Sequence, residues 1–166
     1  MSHHWLKPHW KPNLTLPELP INHLIERNIK AIILDVDKTI VDSKESSPNP
    51  PVSKWIIEAK QRFKLHLLSN NPSKNRIGSI GDQFELPYTY LAAKPSKIAI
   101  NKVIKNLHLS PSNIAIIGDR IFTDILVGNR LGLYTVLIKA LKSENPSKKY
   151  SKLQKIEQAI AYFLGA

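Results

Sequence analysis

Apolar and polar positions along the chain fall into two alternating rhythms. Ala31–Val36 is an apolar run interrupted only by Asp35, the pattern of a parallel strand buried on both faces. Leu65–Leu68, residues 88–92, Ile114–Ile117 and Tyr134–Ile138 read as four further strands. Helical spacing fills the intervals. Trp55, Ile56, Ala59 and Phe63 share one face, and Ile100, Val103, Ile104 and Leu107 follow i, i+3, i+4, i+7, which predicts an amphipathic helix over 96–107. A short helix over 22–28 precedes the first strand, and a polar, proline-rich loop covers Asp42–Pro51. Asn71-Pro72-Ser73 reads as a helix start, with Asn71 as its cap and proline near the first turn. A helix over 122–131 ends at Gly132, and Leu153, Ile156, Ile160 and Phe163 mark a last one.

Strands alternating with helices predict an α/β domain, a three-layer Rossmann-like sandwich around a mainly parallel five-stranded sheet. Residues 21–166 read as that single domain, without internal repeat or second domain. Residues 1–20 read as an irregular lead-in, because Pro8, Pro12, Pro17 and Pro20 prevent a continuous helix.

Composition narrows the chemistry. The chain has 166 residues, 42% of them hydrophobic, enough for one real core. It has no cysteine, which excludes a disulfide scaffold, a thiolate zinc site and a cysteine nucleophile. No apolar run approaches bilayer-spanning length and no apolar signal core opens the chain, so a cytoplasmic protein is the expectation. The net charge of +11 suits polyanions: nucleic acid, anionic lipid or phosphorylated substrates. For single lysines such as Lys139, Lys142, Lys148, Lys149, Lys152 and Lys155, a solvated basic face is the simpler reading.

Ligands in such sheets sit beyond the carboxyl ends of the strands. The first apolar run ends in Asp35-Val36-Asp37-Lys38-Thr39, and the second in Ser69-Asn70-Asn71. Ala93-Lys94-Pro95 follows the third, and Gly118-Asp119-Arg120 the fourth, with Asp124 five residues after Asp119. Their types suit phosphoryl transfer. Carboxylates are hard ligands for magnesium, and one can attack phosphorus while another serves as acid and base. Ser69 and Asn70 can donate to phosphoryl oxygens, and Lys94 can neutralise charge.

In order and spacing, Asp35-Val36-Asp37-Lys38-Thr39, Ser69-Asn70, Lys94 and Gly118-Asp119…Asp124 resemble the four motifs of haloacid dehalogenase (HAD) superfamily phosphatases. The resemblance spans roughly residues 30–140. It implies a HAD-like fold, Asp35 as nucleophile, Asp37 as general acid/base, and Mg2+ held by Asp35, Asp37 and Asp119. In that family the second aspartate usually contributes its backbone carbonyl. Ser69 and Asn70 would hold the phosphoryl group, Lys94 would bind phosphate and balance charge, Thr39 would support the loop, and Asp124 would hold the metal site directly or through another ligand. Lys38 departs from the pattern, where asparagine or glycine is commoner.

About 30 residues separate Asp37 from Ser69, and 23 positions separate Asn71 from Lys94. One helix and its loops fill each interval, which leaves no room for a cap domain and implies an open site. Gly118-Asp119-Arg120-Ile121-Phe122-Thr123-Asp124, continued by Gly128-Asn129-Arg130-Leu131-Gly132, resembles subfamily IIIA, which includes phosphatidylglycerophosphate phosphatases. This implies an anionic lipid substrate and a peripheral membrane location. Alternatives are a soluble phosphorylated metabolite, a nucleotide or nucleic-acid end, or a non-catalytic module on the same scaffold. Trp5 and Trp10 either anchor in a lipid interface or pack on the domain, and Arg120 either meets substrate phosphate or makes a structural ion pair. Asp42 is read as a loop residue and His66 as structural.

Overall fold

The computed structural model describes residues 3–42 and 45–141. Five strands form one parallel sheet: β1 (Ala31–Leu34), β2 (Lys64–Leu68), β3 (Tyr88–Thr89), β4 (Ile114–Gly118) and β5 (Tyr134–Leu137), in the order β3-β2-β1-β4-β5. The central register pairs Leu34 of β1 with both Leu67 of β2 and Ile117 of β4, so the ends of three strands come level.

Alternation along each strand divides the core in two. Ile32, Leu34, Leu65, Leu67, Ala115 and Ile117 face a layer built from α1 (Ile21–Glu26), α2 (Pro50–Lys60) and α3 (Lys74–Phe84). Ala31, Ile33, Leu68, Ile114 and Ile116 face α4 (Ile98–Leu107) and α5 (Leu126–Arg130). The predicted three-layer sandwich with five parallel strands is present. The last helix expected at 153–163 lies outside the described residues.

Element boundaries differ from expectation for local reasons. α2 starts at Pro50, inside the stretch read as loop, because the Asn49 side chain caps the Val52 N–H and prolines occupy its first turn. α3 is capped by Ser73, whose Oγ accepts from Arg76 N, rather than by Asn71. β3 stops at Thr89 because Leu91 (φ 49°) and Ala93 (φ 54°) turn left-handed and end pairing. The helix expected over 122–131 is two elements, a π-helical turn at Ile121–Ile125 followed by α5. Gly132 (φ 72°) ends it as expected.

The N-terminal segment lies along the outer edge of β5. Trp10 N donates to Thr135 O and Trp10 O accepts from Leu137 N, so a single bridge continues the sheet. This covers an edge strand that would otherwise present unpaired backbone groups. Leu16 and Leu19 enter the core, and the Trp10 ring stacks on His23 at 3.8 Å. Trp5 stays half-exposed.

Candidate active site

β1 delivers Asp35 at the carboxyl edge, where its N–H bonds to Ile117 O at 3.0 Å. The backbone then doubles back. The N–H groups of Thr39, Ile40 and Val41 converge on Val36 O (3.2, 2.9 and 3.2 Å), and Lys38 N donates to Val41 O at 2.6 Å. Lys38 sits in this loop at φ 66°, a conformation that costs a residue with a Cβ roughly 1–2 kcal/mol. Asparagine and glycine adopt it more readily. Thr39 is fully buried within the turn, and its Oγ1 lacks a hydrogen-bond partner.

Ser69, the first residue beyond β2, is buried, and its Oγ donates to Asp37 Oδ2 at 3.1 Å. Asn70 makes a reciprocal pair with the main chain of Lys94: Lys94 N donates to its Oδ1 (2.7 Å) and its Nδ2 donates to Lys94 O (3.0 Å). Its amide was expected on the phosphoryl group; here it clasps the segment that carries the lysine. Lys94 Nζ, thus anchored and buried, donates to Asp35 Oδ1 and Asp124 Oδ1, both at 2.6 Å, and to Leu68 O at 3.2 Å.

β4 ends at Gly118, followed by Asp119. The wide turn after it brings Asp124 back, with Asp124 Oδ2 accepting from Arg120 N at 3.3 Å. This return needs glycine at 118, since a methyl group there would collide with the Asp124 carboxylate. Carboxylate oxygens of Asp35, Asp119 and Asp124 all lie within 4.8 Å of one another.

Three carboxylates and one ammonium in a buried space are electrostatically unbalanced. Burial pushes Asp35 up to about 6; Lys94 pulls it back and Asp124 adds repulsion. Burial also raises Asp119 to about 7, with repulsion from Asp35 and Asp124 exceeding the relief from Arg120 and Lys38. For Lys94, burial alone would favour the neutral amine, but Asp124 and Asp35 hold its pKa above the ordinary lysine value.

Both Asp119 oxygens are buried without a hydrogen-bond donor. Orphan acceptors of this kind are costly unless a ligand completes them. A hard divalent cation does so, and an all-oxygen donor set matches magnesium. The residues therefore fit the metal that the motifs imply. The Asp37 carboxylate is outside the cluster, engaged instead by Ser69, Asn71 and Arg76.

Sequence reasoning missed two of those partners. Arg76, on the first turn of α3, places Nη2 3.3 Å from Asp37 Oδ1 and 2.9 Å from Asp42 O, and its Nη1 donates to Glu45 O. Asn71 receives Ser73 N at Oδ1 (2.9 Å) and points Nδ2 at Asp37 Oδ2 (3.4 Å). A signal for Arg76 did exist. A cation in the first turn of a helix opposes the macrodipole, so an arginine there invites a search for an acidic partner.

Residues 1–141 match the family model described as Mitochondrial PGP phosphatase. The Bacillus subtilis protein named Probable phosphatase YqeG is 34% identical over 123 residues, covering 74% of this chain and 71% of its own. The mitochondrial phosphatidylglycerophosphatase GEP4 of Saccharomyces cerevisiae is 31% identical over 164 residues, covering 86% and 85%. Among solved structures, a HAD family enzyme from Bacteroides thetaiotaomicron, a magnesium complex, superposes with a TM-score of 0.53 at 14% identity, over 77% of this chain and 99% of that one. That likeness speaks to the fold.

Proposed function

The chain belongs to the mitochondrial PGP phosphatase family of HAD-superfamily phosphatases, and from that premise we propose that it is a magnesium-dependent phosphomonoesterase acting on phosphatidylglycerophosphate through an aspartyl-phosphate at Asp35. One observation carries the chemistry. Lys94 bridges Asp35 and Asp124 at 2.6 Å while both oxygens of neighbouring Asp119 lack a donor. The lysine is arranged to hold a nucleophile, and the orphan carboxylate to hold a cation.

Lys94 occupies Oδ1 of Asp35 and leaves the other oxygen for phosphorus. As the new P–O bond forms, the bond from phosphorus to the substrate alcohol breaks, and the Asp37 carboxyl gives its proton to the leaving oxygen. Asp37 then takes a proton from water. The water oxygen attacks phosphorus, the bond to Asp35 breaks, and inorganic phosphate leaves with the carboxylate restored. Ser69, Asn71 and Arg76 keep Asp37 beside the nucleophile through both halves. Magnesium would be held by Asp35 and Asp119, with Asp124 beside them and the Asp37 main chain as the further ligand that the motif implies, and would supply charge neutralisation at the phosphoryl oxygens.

The name of the yeast relative supports the lipid substrate. So does the spacing, since each motif interval holds a single long helix among the described residues, leaving the site without a cap domain. No helix among those residues is long and apolar enough to cross a membrane. The test is phosphate release with magnesium from phosphatidylglycerophosphate in detergent, beside sugar phosphates and nucleotides. Selective release from the lipid, absent in Asp35→Asn, supports the assignment; equal slow release from every ester removes it.

A further inference from the structure

Single exposed apolar side chains are ordinary, but several on one face mark a surface for a partner or a membrane. Here Leu91 is 61% exposed and Ile98 72%, and both lie within a few residues of Lys94, on the segment that carries it into the site. Lys97 precedes Ile98 and shares a cleft of about 380 Å3 with half-exposed Trp5, Leu126 and Arg130. Leu126 is two residues beyond Asp124, which places the cleft by the same edge of the sheet.

The basic character continues along α4. Ile100, Val103 and Leu107 are buried against the sheet, which turns Lys102 and Lys105 to solvent on the side that begins with Ile98, at i, i+4 and i+7. From Leu86 to Gly118 the sequence contains four lysines and no aspartate or glutamate. An apolar tip next to lysines on a stretch of chain that carries no acidic residue is complementary to an anionic bilayer. Its side chains enter the interface while ammonium groups meet headgroup charge.

We propose that the surface formed by Trp5, Leu91, Lys97, Ile98, Lys102 and Lys105 docks this protein on anionic membrane, bringing the carboxyl edge of the sheet to the headgroup layer. This rests on the lipid-substrate reading and adds the face through which substrate is reached. Nucleic acid would use the lysines and the Trp5 ring but has no use for exposed Leu91 and Ile98, whose aliphatic side chains suit a lipid interface instead.

The full chain is tested by co-sedimentation with vesicles of phosphatidylcholine containing phosphatidylglycerol, with pure phosphatidylcholine vesicles and a single-stranded oligonucleotide in parallel. Binding is expected with anionic vesicles and is expected to fall with salt. Lys102→Gln with Lys105→Gln should weaken it by about fivefold for each lysine. Leu91→Ser with Ile98→Ser should abolish the part that survives high salt. Both pairs should keep wild-type thermal unfolding and hydrolysis of a soluble aryl phosphate. Vesicle binding indifferent to both pairs, no binding to anionic vesicles, or preferential binding to the oligonucleotide would overturn the proposal. Hydrolysis of detergent-dispersed lipid is read separately, so failure of the face and failure of the substrate assignment are distinguishable.

Discussion

Lys94 is the residue on which the site's electrostatics turn. Its side chain is 2% exposed and lies between two carboxylates of 10% and 0% exposure. Removing one member of a buried ion cluster leaves charge without compensation, at a cost of roughly 3–5 kcal/mol. Lys94→Met should therefore lower the unfolding free energy of the metal-free protein by about that amount in urea titrations, as well as abolish hydrolysis. A loss below about 1 kcal/mol would mean that Asp35 and Asp124 are not held as described. Arg76 calls for a different result. It touches Asp37 from the partly exposed side, so Arg76→Ala should reduce kcat about 10- to 100-fold through misplaced acid/base geometry, with KM for a soluble ester little changed. The carboxylates gathered at the sheet edge and Lys94 were legible in the sequence because each ends or follows an apolar run. Arg76 and Asn71 were not, because their roles depend on how the start of α3 meets the Asp37 carboxylate, and spacing does not report that.

Elements make the site possible by close packing and by buried polar ties. Gly118, at the end of β4, admits the Asp124 carboxylate where any side chain would collide. Gly118→Ala should displace Asp124, leave the fold intact by circular dichroism and weaken magnesium binding by tenfold or more in calorimetry; unchanged affinity would show that Asp124 is not needed there. On β2, His66 bonds to Thr89 of β3 at 2.9 Å, and burial lowers its pKa to about 4. The unfolded chain then binds a proton below about pH 6.5 that the folded one refuses. The His66 contribution is complete above that pH and lost as pH falls towards 4, up to about 3 kcal/mol. The stability difference between wild type and His66→Gln, measured by urea unfolding from pH 7 to 4, should change by that much; a constant difference would contradict it. Strand positions were readable because unbroken apolar runs admit few other structures. The π-helical turn and the true start of α3 were not, since apolar spacing does not separate a π turn from an α turn and does not choose a serine cap over a nearby asparagine.

At the scale of the molecule, a level register across β2, β1 and β4 is what gathers residues far apart in sequence. Three polar strand ends arrive together because Leu34 aligns with both Leu67 and Ile117. The alternating pattern predicted a mainly parallel sheet with polar strand ends at one edge, but not its strand order or the way the N-terminal segment closes the β5 edge, because proline-rich backbone carries no periodicity to read. The proposed hydrolysis requires a phosphoryl group to pass through Asp35. The most direct test is to quench the enzyme in acid during turnover with magnesium and substrate, reduce the acyl phosphate with borohydride, and map the modified peptide by mass spectrometry. Reduction at Asp35, dependent on substrate and magnesium and missing in Asp35→Asn, is the predicted result. Steady turnover with modification at another residue, or with none, would contradict it.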